Sequence, residues 1–110
     1  MGMEHEFGLL PQEPPVEKRF DAYEPHGCIR VHDDWIEPIA EKLEAVPSFY
    51  HSRSVPGTGL AYCGITLFAP SSLGLFQQIL REEENDAYAE LLALLERARR
   101  EHKYVIHFGL

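Results

Sequence analysis

The segment Tyr104-Val105-Ile106-His107-Phe108-Gly109-Leu110 constrains this chain more than any other. β-Branched and aromatic residues stand side by side where most chains carry a polar tail. Such a run is expected to dock in a sheet as a strand. It also carries one histidine, which the two-residue alternation of a strand assigns to one sheet face.

One strand needs partners, and three further runs supply them. Cys28-Ile29-Arg30-Val31-His32 alternates, with Ile29 and Val31 on one face and Arg30 and His32 on the other. Phe49 to Ser54 reads as a second strand, and Val55-Pro56-Gly57-Thr58-Gly59 as turn chemistry. Leu60 to Phe68 is a third strand, with Ala61, Cys63, Ile65 and Leu67 alternating with Tyr62, Gly64, Thr66 and Phe68. Between these lie helical stripes. Asp33 or Asp34 caps the first, with Glu37 placed for a capping box; Ile36, Ile39, Leu43 and Val46 form its apolar face, and Pro47 ends it. Ser71 or Ser72 opens the second, on Leu73, Phe76, Ile79 and Leu80. Glu82 to Asn85 interrupts it, and Asp86 restarts it on Tyr88, Leu91, Leu92, Leu95 and Ala98. Arg97, Arg99 and Arg100 then suit the negative end of the helix dipole.

The order strand, helix, strand, strand, broken helix, strand is the split β-α-β-β-α-β order. It predicts an α+β, two-layer, ferredoxin-like sandwich: a mainly antiparallel four-stranded sheet with helices on one face and the second helix in two pieces. Right-handed crossovers put the first and third strands in the centre, with the last beside the first. Residues 26–110 make this single domain. Residues 1–25 differ: they hold four of the eight prolines and six acids against Lys18 and Arg19. They read as an extended arm anchored by Phe7, Leu9, Leu10, Phe20 and Tyr23.

Charge limits the partners. Lys and Arg number 10 against 18 Asp and Glu, a formal net charge of −8. Nucleic acids and anionic membranes require clustered cations, so neither is expected as a partner. No apolar run reaches the roughly 18–20 residues of a membrane span. The acidic start Met1-Gly2-Met3-Glu4-His5-Glu6 is no signal peptide, and Glu6 stands where a myristoylation motif needs Ser or Thr. The expected setting is the cytoplasm, with Cys28 and Cys63 as reduced core residues.

Chemistry is expected on the sheet face away from the helices. Ile29, Val31, Ala61, Cys63, Ile65, Leu67, Tyr104, Ile106 and Phe108 are assigned to the helix side, leaving Arg30, His32, Tyr62, Thr66 and His107 on the open side. His51 and Arg53 join them if odd residues of the second strand point outward. On that face His32 and His107 are the candidate catalytic acid–base groups, because imidazole titrates near neutral pH. Arg30 and Arg53 suit a small anionic ligand, which Tyr62 and His51 help bind. Zinc ligation by His32, His51, His107 and Asp33 lacks any H-x-x-x-H spacing, so no metal or other cofactor is expected. His26-Gly27-Cys28 sets an imidazole near a thiol without an orienting acid. The leading functional expectation is a small self-associating binding or regulatory module, a homodimer. The alternatives are an enzyme or ligand-binding protein using the His/Arg/Tyr cluster, and an acidic inhibitor of immunity-protein type.

Overall fold

In the computed structural model, which describes residues 3–16 and 24–110, the first element is a strand, β1 (Glu4–Leu9). Its sequence alternates: His5, Phe7 and Leu9 on one face, Glu4, Glu6 and Gly8 on the other. β2 (His26–His32) pairs antiparallel with it, and α1 (Asp33–Ala40) follows directly. A 3-10 turn (Lys42–Ala45) leads to β3 (Pro47–Tyr50), β4 (Pro56–Thr58) and β5 (Ile65–Phe68). A second 3-10 turn (Pro70–Ser72) opens α2 (Leu73–Glu82), and a third (Asp86–Tyr88) opens α3 (Ala89–Glu101). β6 (Val105–Phe108) closes the sheet. All pairings are antiparallel, in the order β2-β1-β6-β5-β3-β4.

The α+β class and the single antiparallel sheet agree with expectation, but the sheet has six strands rather than four. β1 lies within residues 1–25 and wedges between β2 and β6, so β2 is an edge strand and not a central one. β4 arises from residues read as a turn, and it pairs with β3. The expected long strand from Leu60 shortens to β5, because residues 61–64 turn, with the Gly64 N–H donating to the Ala61 carbonyl at 2.9 Å. Phe20 and Tyr23, expected as anchors, lie outside the described residues.

The second correction concerns faces. Phe7, Val31, Phe68 and Val105 pack against Ile36, Leu73, Phe76 and Leu95 of the helices. Alternation and register then put His5, Thr66 and His107 on that same helix side. Ile29 and Val31 face the helices as expected. Ile65, Leu67, Tyr104, Ile106 and Phe108 do not: they form a second cluster with Leu10 on the opposite face. Leu67 and Ile106 are fully buried there. Residues 10–16 run over that half. The Leu10 N–H donates to the Tyr104 carbonyl, the Tyr104 hydroxyl to Glu13, and the Arg53 guanidinium to the Pro14 carbonyl. The sheet is therefore covered on both faces at β5 and β6. On β1 and β2 its second face stays open.

Candidate functional site

Two neighbouring strands place two imidazoles together. His5 of β1 and His107 of β6 are both fully buried, and His5 Nδ1 lies 2.8 Å from His107 Nε2. The rings are nearly parallel, with centroids 5.1 Å apart. His107 Nδ1 is 3.1 Å from Thr66 Oγ1, on the adjacent strand β5. At the other end His5 Nε2 is 3.0 Å from Asp33 Oδ1, which also accepts from the Tyr62 hydroxyl.

Each member has a local reason for its position. β2 runs straight into α1, and the Asp33 N–H donates to the Met3 carbonyl at 2.8 Å, which ties the start of the helix to β1. The helix is capped by His32, whose Nδ1 accepts from the Asp34 N–H at 3.0 Å. The Asp33 carboxylate, expected as a cap, is thus free to turn to His5. Tyr62 is brought in by the residues after β6: the Gly109 N–H donates to the Gly64 carbonyl and the Leu110 N–H to the Tyr62 carbonyl. A Cβ at Gly109 would collide with the Tyr62 backbone, so only glycine permits this approach. The His5 and Tyr62 rings then meet edge to face, with centroids 5.2 Å apart.

One proton assignment satisfies the whole chain of contacts with both imidazoles neutral. The Ala61 N–H donates to Thr66 Oγ1 at 2.7 Å. The Thr66 hydroxyl donates to His107 Nδ1, His107 Nε2–H to His5 Nδ1, and His5 Nε2–H to Asp33. Burial lowers the His107 pKa to about 3. Hydrogen bonds from Tyr62 and then His5 hold the Asp33 carboxyl below the usual range. The bond to Asp33 pushes the Tyr62 phenol up to about 12. His107 stays neutral, Asp33 ionised and Tyr62 protonated.

This differs from a nucleophilic triad. There the carboxylate lies inside and the nucleophile at the open end. Here the carboxylate is the more accessible end, and the Thr66 hydroxyl is fully buried.

The expected site residues do not assemble. His32 and His107, expected as neighbours on one face, are separated by β1 and point to opposite faces. Arg30 is on the open face, 3.9 Å from the Glu6 carboxylate. Arg53 lies 3.7 Å from Glu13, with its guanidinium 5.4 Å from the centre of the Tyr104 ring. His51, in a left-handed conformation with φ 65°, packs beside Gly64. Of the expected group only His107 and Tyr62 join the network, and Thr66 accompanies them. The hypothetical zinc ligands do not converge: among the described residues no three His, Cys, Asp or Glu side chains are placed to hold a metal. Cys28 and Cys63 are exposed thiols rather than core residues. Partial burial and Glu6 raise the Cys28 pKa, which keeps its thiol protonated.

His5 is the member that the sequence pattern did not single out. A signal existed: His5, Phe7 and Leu9 alternate with Glu4, Glu6 and Gly8. Two glutamates and a glycine, all poor strand formers, masked it.

Two surface hollows flank β2. One, of about 290 Å3, lies on the open face between Glu4, Glu6, Arg30, Phe108 and Gly109. The other, of about 270 Å3, lies between β2 and α3. The imidazole network lines neither. No described helix is long and apolar enough to cross a membrane. No family model matches this chain, and no curated protein or solved structure is significantly similar to it.

Proposed function

We propose that this chain is a small binding or regulatory module that self-associates and works by presenting surfaces rather than by catalysis. What supports the reading against catalysis is the displaced protonation of His107, Asp33 and Tyr62. General acid–base chemistry uses groups whose pKa lies near the working pH. In the Thr66–His107–His5–Asp33–Tyr62 network, His107 is moved far down, Asp33 down and Tyr62 far up. The arrangement suits a polar tie holding β1, β5, β6, α1 and the 61–64 turn in one register. The Arg30 and Arg53 guanidinium groups already face carboxylates, which disfavours an anion site. We assign the cytoplasm as its setting, because two exposed thiols without a disulfide suit a reducing compartment.

The test is imidazole nitrogen NMR across pH 5 to 8. His107 is expected to remain neutral throughout, with its proton on Nε2. Titration of His107 near its ordinary value would overturn the non-catalytic reading and return the cluster to proton transfer.

A further inference from the structure

We propose that the outer face of α1, anchored on Trp35, docks an arginine- and lysine-rich segment of a partner protein. The inference adds a surface to the binding-module reading above and does not depend on self-association.

α1 turns its two sides to different surroundings. Ile36 and Ile39 are fully buried in the core. Asp34, Glu37, Pro38 and Glu41 stand at i, i+3, i+4 and i+7, a single face directed away from the core, and all four are exposed. Trp35 lies at the margin of that face, one turn before Pro38. It is the chain's only tryptophan, and it stays 41% exposed. A ring this large is ordinarily well covered by its own fold. At a surface, tryptophan is the residue type most suited to anchor an interface.

The fold brings a second acidic segment up to this ring. The Tyr88 hydroxyl donates to the Trp35 carbonyl at 2.7 Å, which sets the 3-10 turn of Asp86–Tyr88 against α1. The Lys42 ammonium donates to the Glu83 carboxylate, which ties the turn after α1 to the end of α2. Residues 33–45 hold five acids and one cation, Lys42, and Glu83 already engages it. Residues 82–90 hold five acids and no cation. Of these, Glu82, Glu84 and Asp86 are exposed. Trp35 is thus bordered by carboxylates from its own helix and from across the junction. The arginines of α3 gather at the far end of that helix, roughly 20 Å along it from the 3-10 turn.

Charge and ring chemistry together select the occupant. An indole face is the best aromatic partner for a guanidinium or ammonium group. Further cations along the same segment meet the bordering carboxylates, which speeds encounter and fixes register. Nucleic acid is repelled by this surface. A second copy suits it poorly: the chain carries −8 overall, and at the end of α3 Arg97 already bonds Glu101 and Arg99 bonds Gln77.

The full-length chain is titrated with a hexa-arginine peptide in about 0.15 M salt, where long-range attraction is screened. Tryptophan emission reports this surface alone, and amide chemical shifts map the contact over the whole chain. A saturable emission change is expected, with shifts concentrated at residues 34–41 and 82–86, and hexa-glutamate should produce neither. Trp35→Ala should weaken binding about tenfold or more, read from the shifts. Glu41→Gln with Glu84→Gln should weaken it similarly. Glu13→Gln with Glu24→Gln removes the same charge elsewhere and should leave it within about twofold, as distant charges are screened. Circular dichroism confirms that each variant folds. Absent binding, shifts scattered over the surface, or equal loss in the two double variants would overturn the proposal. Shifts at residues 34–41 that grow with the chain's own concentration, without peptide, would assign the face to a second copy: the basic partner falls and self-association stands.

Discussion

Lowering the pH from 8 to 5 should weaken this fold through one residue, His107. Its folded pKa is about 3 because burial disfavours the imidazolium. In the unfolded chain an ordinary imidazole titrates at about 6.5. The folded value is the lower one, so the contribution is complete above about pH 6.5 and is lost as pH falls toward 3. At pH 5 roughly 97% of unfolded imidazoles carry the proton against ~1% in the fold, a loss of about 2 kcal/mol. Asp33, held below the usual carboxyl range, loses its contribution only at lower pH, and the comparison with His107→Gln separates the His107 part of the loss. Urea unfolding at pH 8 and pH 5 measures the loss as a midpoint shift of about 1 M. His107→Gln keeps one donor and one acceptor but cannot titrate. It is expected to be less stable at pH 8, and its loss between pH 8 and pH 5 should be smaller by about 2 kcal/mol. Equal losses in the two proteins would refute the buried neutral imidazole.

Three further outcomes follow from the same geometry. Removing residues 1–9 should abolish cooperative unfolding in a urea titration, because Phe7 and Leu9 are fully buried in the middle of the sheet. Ile106→Ala should cost about 2–5 kcal/mol, as for other buried isoleucines, although it faces away from the helices. Alkaline absorbance titration should show one phenol ionising at about 12 that Tyr62→Phe removes, and Gly109→Ala should return it toward the ordinary value by displacing the Tyr62 backbone.

The helical stripes and the β2-to-α1 junction were legible because amphipathic spacing and a Pro or Ser boundary mark them, although His32 rather than Asp33 or Asp34 caps α1, which ends at Ala40 before a 3-10 turn. The faces of β5 and β6 were not. Tyr104-Val105-Ile106-His107-Phe108 is apolar at nearly every position, as suits a strand buried on both sides, so alternation carried no phase. His107 is the only polar marker, and the pattern alone assigns a polar residue outward. Its inward position depends on partners supplied by other elements, namely His5, Thr66 and Asp33, and spacing along one strand does not encode them. β1 is masked for a related reason: Glu4 and Glu6 lower its strand propensity, yet both point to the face that stays open. Once β1 enters the sheet, His5 occupies the place beside His107 that the four-strand order gives to His32.

The central claim is the N–H···N bond between two buried imidazoles. Scalar coupling across that hydrogen bond, read between His5 Nδ1 and His107 Nε2 in the 15N-labelled protein at pH 7, tests it directly. The structure predicts a measurable coupling, with the shared proton on His107 Nε2 protected from exchange. No coupling, together with a solvent-exchanging His107 ring proton, would contradict the closed network and the strand order that builds it.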